Sequence, residues 1–167
     1  MAIGARKEGA GIYEKTEVFD FDIQNGQIRG VKTNQGDIRC EILVICAGMW
    51  SRELARKLGV AIPLHAVEHM HFITQPMEGV KKGMPILRDQ EGHLYYREEV
   101  GGLLIGAIEP VAKPYGTRGI PKDWQFQELG DDLEHLEPLM MNALHRVPAL
   151  EHTEIRKFTT VPESFTI

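Results

Sequence analysis

Three histidines, His65, His69 and His71, share the parity of an extended strand, so their rings can face one way. Three imidazoles on one face have the donor type for zinc. They also have the type of ordinary strand histidines, one or two of which line a cleft. No cysteine cluster and no helical His/Glu pair accompanies them, so no metal is expected. Further on, His93-Leu94-Tyr95-Tyr96-Arg97 puts aromatic, hydroxyl and cationic groups in one strand. Tyr95 and Arg97 share a face and Tyr96 takes the other. A phenol beside a guanidinium suits an amino-acid carboxylate, which Arg can grip through two parallel hydrogen bonds. The alternative is a packed tyrosine and a surface ion pair from Arg97 to Glu98 or Glu99. Gly9-Ala10-Gly11 supplies two glycines of a dinucleotide fingerprint, but Glu14 stands where the third belongs and no strand precedes it. There is no serine elbow and no phosphate-binding loop. These residues nominate a cleft, and they nominate no nucleophile.

The elements that must carry them fall into two styles. Gly4 to Gly11 reads as the end of a helix and Ile12 to Ile23 as a strand. Asn25-Gly26 is a hairpin turn, since both residues tolerate positive φ. Gln27 to Thr33 is the return strand, Gln35-Gly36 a second turn, and Arg39 to Cys46 a third strand. Its segment Ile42-Leu43-Val44-Ile45-Cys46 is apolar without alternation, as in a strand covered on both faces. A small-residue turn at Ala47-Gly48 and a helix over Ser51 to Leu58, stopped at Gly59, complete one α/β unit. In such units ligands sit at the carboxyl end of the strand.

Past Pro63, Ala66 to Gln75, Met84 to Asp89, His93 to Glu99 and Gly102 to Glu109 read as four strands with short connections, which favours antiparallel pairing. Pro110 to Pro121 is a loop. Asp131 to His145 has apolar residues at helical spacing, with a kink or break expected at Pro138. Glu154 to Thr160 reads as a last strand. The predicted class is α+β, a mostly antiparallel sheet with helices plus a partial α/β segment. One buried parallel strand cannot close an α/β core alone, so its partners are expected to lie outside this chain.

Composition narrows the field. The 167 residues are 43% hydrophobic, enough for a real core, and the formal net charge of -5 argues against nucleic acid as a partner. No apolar run of membrane-spanning length and no signal-peptide stretch occurs. Cys40 and Cys46, held roughly 20 Å apart by an extended chain, are expected to be buried thiols rather than a disulfide.

Several segments together resemble the D-amino-acid-oxidase type of flavoprotein, and within it the dimethylglycine and sarcosine dehydrogenase group. The segment from Glu41 to Arg52 resembles that family's strand followed by Ala-Gly-x-Trp. Pro63-Leu64 with Val67-Glu68-His69 resembles its strand entering the substrate domain. Pro85-Ile86-Leu87-Arg88-Asp89 with Tyr95-Tyr96-Arg97 is similar to its paired Leu-Arg-Asp and Tyr-Leu-Arg. Gly102 to Gly106 with Glu109 fits the strand after it. Val161-Pro162-Glu163-Ser164-Phe165-Thr166 is similar to the segment that returns the chain to the flavin domain.

The resemblance implies three parts: residues 1–62 from an FAD-binding domain, 63–160 from a substrate domain, and 161–167 the start of the return. It implies oxidation of an N-methyl amino acid, such as dimethylglycine or sarcosine, to an imine that hydrolyses to formaldehyde. His69 and Tyr95 match catalytic cleft residues, and Arg97 and His71 are candidate substrate contacts. Val18 matches a position whose backbone meets the adenine, and Ala47, Gly48 and Trp50 match the turn beside FAD. His71 stands where tyrosine is usual, Tyr96 where leucine is common, and Ile108 where tyrosine is common. The glycine fingerprint, the flavin-attachment histidine of some members, the carboxyl-terminal flavin segment and a folate domain are missing from these residues. The chain is therefore expected to be an internal fragment, binding no FAD and inactive alone. Its expected partners are a small amine or amino-acid substrate, the rest of the flavin domain, or another copy of itself, in the cytoplasm or mitochondrial matrix. The alternative is a non-catalytic, protein-binding relative of the pyruvate dehydrogenase phosphatase regulatory subunit type.

Overall fold

A computed structural model describes residues 1–166. The chain forms two compact units, Met1–Ile62 and Pro63–Ile167. In the first, helix α1 (Ala2–Lys7) precedes an antiparallel sheet of β1 (Val18–Gln24), β2 (Gln27–Thr33) and β3 (Gly36–Arg39). The β1–β2 turn holds Asn25 at φ 52° and Gly26 at φ 74°, the paired left-handed geometry that matches strand twist in a two-residue hairpin. A 3-10 turn at Gly48–Trp50 leads into helix α2 (Ser51–Lys57), and Gly59 at φ 72° lets the chain leave it.

Three expectations for this unit need correction. Residues 12–17 lie outside any strand, and pairing begins at Val18. The apolar run Ile42–Cys46 is not a strand either; β3 ends at Arg39, and Ile42 and Val44 are 81% and 75% exposed. A strand is defined by its ladder, and among the described residues none pairs with this run. The thiols follow from the same fact: Cys46 is exposed and Cys40 only partly buried.

The second unit is a six-stranded antiparallel sheet backed by a helix. Its elements are β4 (Leu64–Thr74), β5 (Leu87–Asp89), β6 (Leu94–Glu99), β7 (Gly102–Ala107), β8 (Pro114–Tyr115), α3 (Leu133–Arg146) and β9 (Ile155–Thr166). The neighbours run β5-β6-β7-β4-β8, with β9 also on β4. Because β9 follows β4 from Leu64 to Thr74, β7 and β8 must share its other edge: β7 at residues 71–73, β8 at 66–67. Residues 161–166 continue β9 against β4. The expected loop after Pro110 contains β8.

Period-two alternation sorts the sheet's faces. Met70, Phe72, Leu94, Tyr96, Ile105 and Ala107 point to α3 and pack on Leu136, Leu139 and Ala143. Leu94 and Ile105 are fully buried, each stabilising by about 1.5–3 kcal/mol. Asp132 caps α3 by accepting the His135 N–H at 3.1 Å. The helix runs unbroken through Pro138, at the loss of the one backbone bond that Pro138 cannot donate to Glu134.

Tyr96 is the polar exception in this core. Its hydroxyl is buried without a hydrogen-bond partner, and burial, then the nearby Asp89 carboxylate, push its pKa up to about 12. The folded state thus resists losing this proton. Its contribution is complete below the unfolded tyrosine value near 10 and is lost as pH rises toward about 12. Tyr96→Phe is expected to leave stability at pH 7 unchanged or raised by about 1 kcal/mol, and to flatten the alkaline fall in Tm. Thermal melts across pH 8–12 check both; a lower Tm at pH 7 contradicts the first.

Candidate active site

The other face of the sheet is built differently. The register sets Tyr95 opposite Gly106, Gly106 opposite His71, and His71 opposite Thr159. One row along β4, His69 lies opposite Val161. Tyr95 therefore neighbours a residue without a side chain, and its ring folds across the vacancy toward β4. A Cβ added at Gly106 falls 1.9 Å from Tyr95 Cζ and 2.2 Å from its hydroxyl oxygen. Glycine inside a strand here allows a close approach.

The result is a small polar constellation around His69. The Tyr95 hydroxyl lies 3.4 Å from His69 Nε2, and the two rings are nearly parallel, 9° apart with centroids at 6.2 Å. Glu109 Oε2 lies 3.4 Å from His69 Nδ1, and Glu163 Oε2 is 3.6 Å from Nε2. The side chains of His69 and Glu109 are 7% and 3% exposed, whereas Glu163 is open to solvent. Burial, then the Glu163 carboxylate, raises the Tyr95 pKa, so the phenol keeps its proton at neutral pH and can donate it in a hydrogen bond. Burial, followed by repulsion from His69, lowers the pKa of His71, which favours the uncharged ring. A carboxylate, an imidazole and a hydroxyl in sequence can hold, orient and transfer a proton.

Sequence parity alone brought His69, His71, Tyr95 and Arg97 to this face. Arg97 Nη2 sits 2.9 Å from Glu99 Oε2, two residues along the same face, in an exposed ion pair. His65 lies further along β4. Among the described residues no group of three His, Cys, Asp or Glu side chains is arranged to hold a metal ion.

In the first unit Val18 opens β1, half-buried. Gly48 holds φ 53°, and a Cβ there meets nothing within 4 Å. Trp50 is 38% exposed, and the Ala47 N–H donates to Ser51 Oγ at 3.1 Å. This turn has open space and a flat aromatic surface, which fit contact with a ring system. The helix it leads into, α2, has only seven residues.

Sequence reasoning did not assign Glu109, Glu163 and Gly106 to the site. Two weak signals were available: a glycine within an apolar strand, and a carboxylate directly before Pro110.

The second unit is thus an antiparallel sheet with one face on a helix and a tyrosine–histidine pair on the other. Residues 1–162 match the family model for FAD dependent oxidoreductase, DAO, and the chain belongs to this family. It is 39% identical over 99% of its length to pyruvate dehydrogenase phosphatase regulatory subunit, mitochondrial, of Mus musculus, covering 19% of that protein. It is 36% identical over 97% of its length to 4-methylaminobutanoate oxidase (formaldehyde-forming) of Paenarthrobacter nicotinovorans, covering 20%. Dimethylglycine dehydrogenase, mitochondrial, of Homo sapiens is 31% identical over 99% of the chain, with 20% of that protein covered. Among solved structures, L-proline dehydrogenase from P. horikoshii superposes with a TM-score of 0.74 at 27% identity, over 96% of this chain and 41% of that one. The chain thus spans about a fifth of the length of these curated relatives.

Proposed function

We propose that this chain forms the substrate-side sheet of a flavin-dependent oxidoreductase acting on a small N-methyl amino acid, of the dimethylglycine or sarcosine type. The observation that carries the reading is the Tyr95–His69–Glu109 constellation on the face of the sheet away from α3. An amine gives up hydride from the carbon beside nitrogen only when nitrogen has a free electron pair, so a bound ammonium must first lose a proton. His69 Nε2 is the acceptor for that proton, with Glu163 3.6 Å away to balance the charge. Tyr95 donates a hydrogen bond that orients the substrate, and neutral His71 adds no positive charge to repel an incoming ammonium. Arg97, released from its exposed pair with Glu99, receives the substrate carboxylate.

FAD, when bound, supplies the hydride acceptor. Val18 and the turn of Ala47, Gly48 and Trp50 would hold its ring edges. A relative's formaldehyde-forming activity supports an N-methyl substrate, and two mitochondrial relatives support a mitochondrial location. Among the described residues no helix is long and apolar enough to cross a membrane.

The identity to a regulatory subunit supports a second reading, in which the site is retained for binding rather than turnover. Anaerobic addition of dimethylglycine, sarcosine and 4-methylaminobutanoate to the full-length, FAD-loaded protein separates the two. Bleaching of the flavin by one of them is expected; no bleaching by any N-methyl amino acid favours the regulatory reading. The present chain, titrated alone, is expected to leave FAD fluorescence unchanged.

A further inference from the structure

The edge of β4 is interrupted. β7 meets it at residues 71–73 and β8 at 66–67, and between them the chain loops out through Pro110. The backbone donors in that gap need other acceptors, since a buried N–H left unpaired is costly. Glu68 N–H donates to the Lys113 carbonyl at 2.8 Å. Met70 N–H donates to a side chain, Glu109 Oε1, at 3.0 Å. That bond fixes the carboxylate and aims its other oxygen at His69 Nδ1, 3.4 Å away. Nδ1 is buried with no other partner, and the line between the two lies outside hydrogen-bond geometry, so their interaction is chiefly electrostatic.

We propose that Glu109 is a positioning residue that selects the tautomer of His69, holding the ring proton on Nδ1 and leaving the Nε2 electron pair toward Tyr95 and a bound amine. The opposite tautomer would set the Nδ1 electron pair against the Glu109 oxygen in a buried site, where repulsion is little screened; the favoured one turns the Nε2 electron pair toward Glu163, 3.6 Å away and 54% exposed, where solvent screens the same repulsion. The alternative is that Glu109 merely fills the gap in the strand edge. This inference rests on the functional reading for its purpose, but the tautomer can be read without flavin or amine.

Glu109→Gln separates the two roles. Glutamine keeps a carbonyl oxygen for Met70 N–H, which obliges its amide nitrogen to face His69 Nδ1 as a donor. Nitrogen NMR of the labelled chain, with His69 titrated into its neutral form, is expected to show a protonated Nδ1 and a lone-pair Nε2. In Glu109→Gln the two nitrogens should exchange these signatures while the melting temperature stays close to that of the parent. In the flavin-loaded full-length protein the same change should lower kcat by about 10²-fold or more. A parent His69 protonated on Nε2, or a folded variant with its tautomer unchanged, overturns the proposal. Should the variant not fold, the parent spectrum alone decides. An exchanged tautomer in a protein that oxidises no amine sinks the functional reading and leaves this one standing.

Discussion

In the full-length flavin-loaded protein, Tyr95→Phe is expected to lower kcat on an N-methyl amino acid by about 10²-fold, with KM little changed. The change removes one hydroxyl, the group 3.4 Å from His69 Nε2. The ring can remain in its slot over Gly106, so the fold and the packing of substrate against the ring should persist. What disappears is a donor whose raised pKa keeps it protonated through the neutral range. Steady-state kinetics test this. If rate and substrate affinity both stay at the parent values, Tyr95 has no part in the site.

The second large effect is expected at a residue with no functional group. Gly106→Ala puts a methyl carbon 1.9 Å from Tyr95 Cζ, well inside contact distance. Backbone strain is no obstacle, since Gly106 lies in ordinary strand conformation; the clash is between side chains. Tyr95 must swing off the sheet, losing His69, at a cost of about 1–3 kcal/mol for the forced repacking. The same substitution in a Tyr95→Ala background should cost almost nothing, because the slot is then empty. A double-mutant cycle by chemical denaturation measures this coupling, expected to exceed about 1 kcal/mol. Additive effects would mean that the tyrosine does not occupy the slot.

These expectations differ in how far the linear chain foretold them. Alternation and turn chemistry are local, so β2, the Asn25-Gly26 hairpin and the cores of β4, β6 and β7 were legible. So was the shared face of His69, His71, Tyr95 and Arg97, which needs parity alone. Ile42–Cys46 was misread because apolarity records where a segment is meant to be buried, while strand structure requires a hydrogen-bonded neighbour. The last strand was expected to end at Thr160, but it runs on through Pro162, which pairs opposite Glu68 in β4. Glu109 and Glu163 could not be assigned to the site, since their distances to His69 depend on cross-strand register and on the excursion at Pro110. Neither is written in any short window of residues.

The pairing of β4 with β9 also sets an order of events as the chain folds. Leu64 partners Thr166 and Thr74 partners Ile155, so some eighty to a hundred residues must be in place before this ladder can close. Contacts so distant along the chain form slowly, because loop entropy is spent before any pairing repays it. The β5-β6-β7 meander, joined by short turns, needs no such wait. His69 can therefore find Tyr95 and Glu109 early, while Glu163 arrives on the last strand to dock. During synthesis the solvent-facing charge of the site would be the final piece delivered, and until then the long unpaired edge of β4 would be the segment most in need of a chaperone's cover.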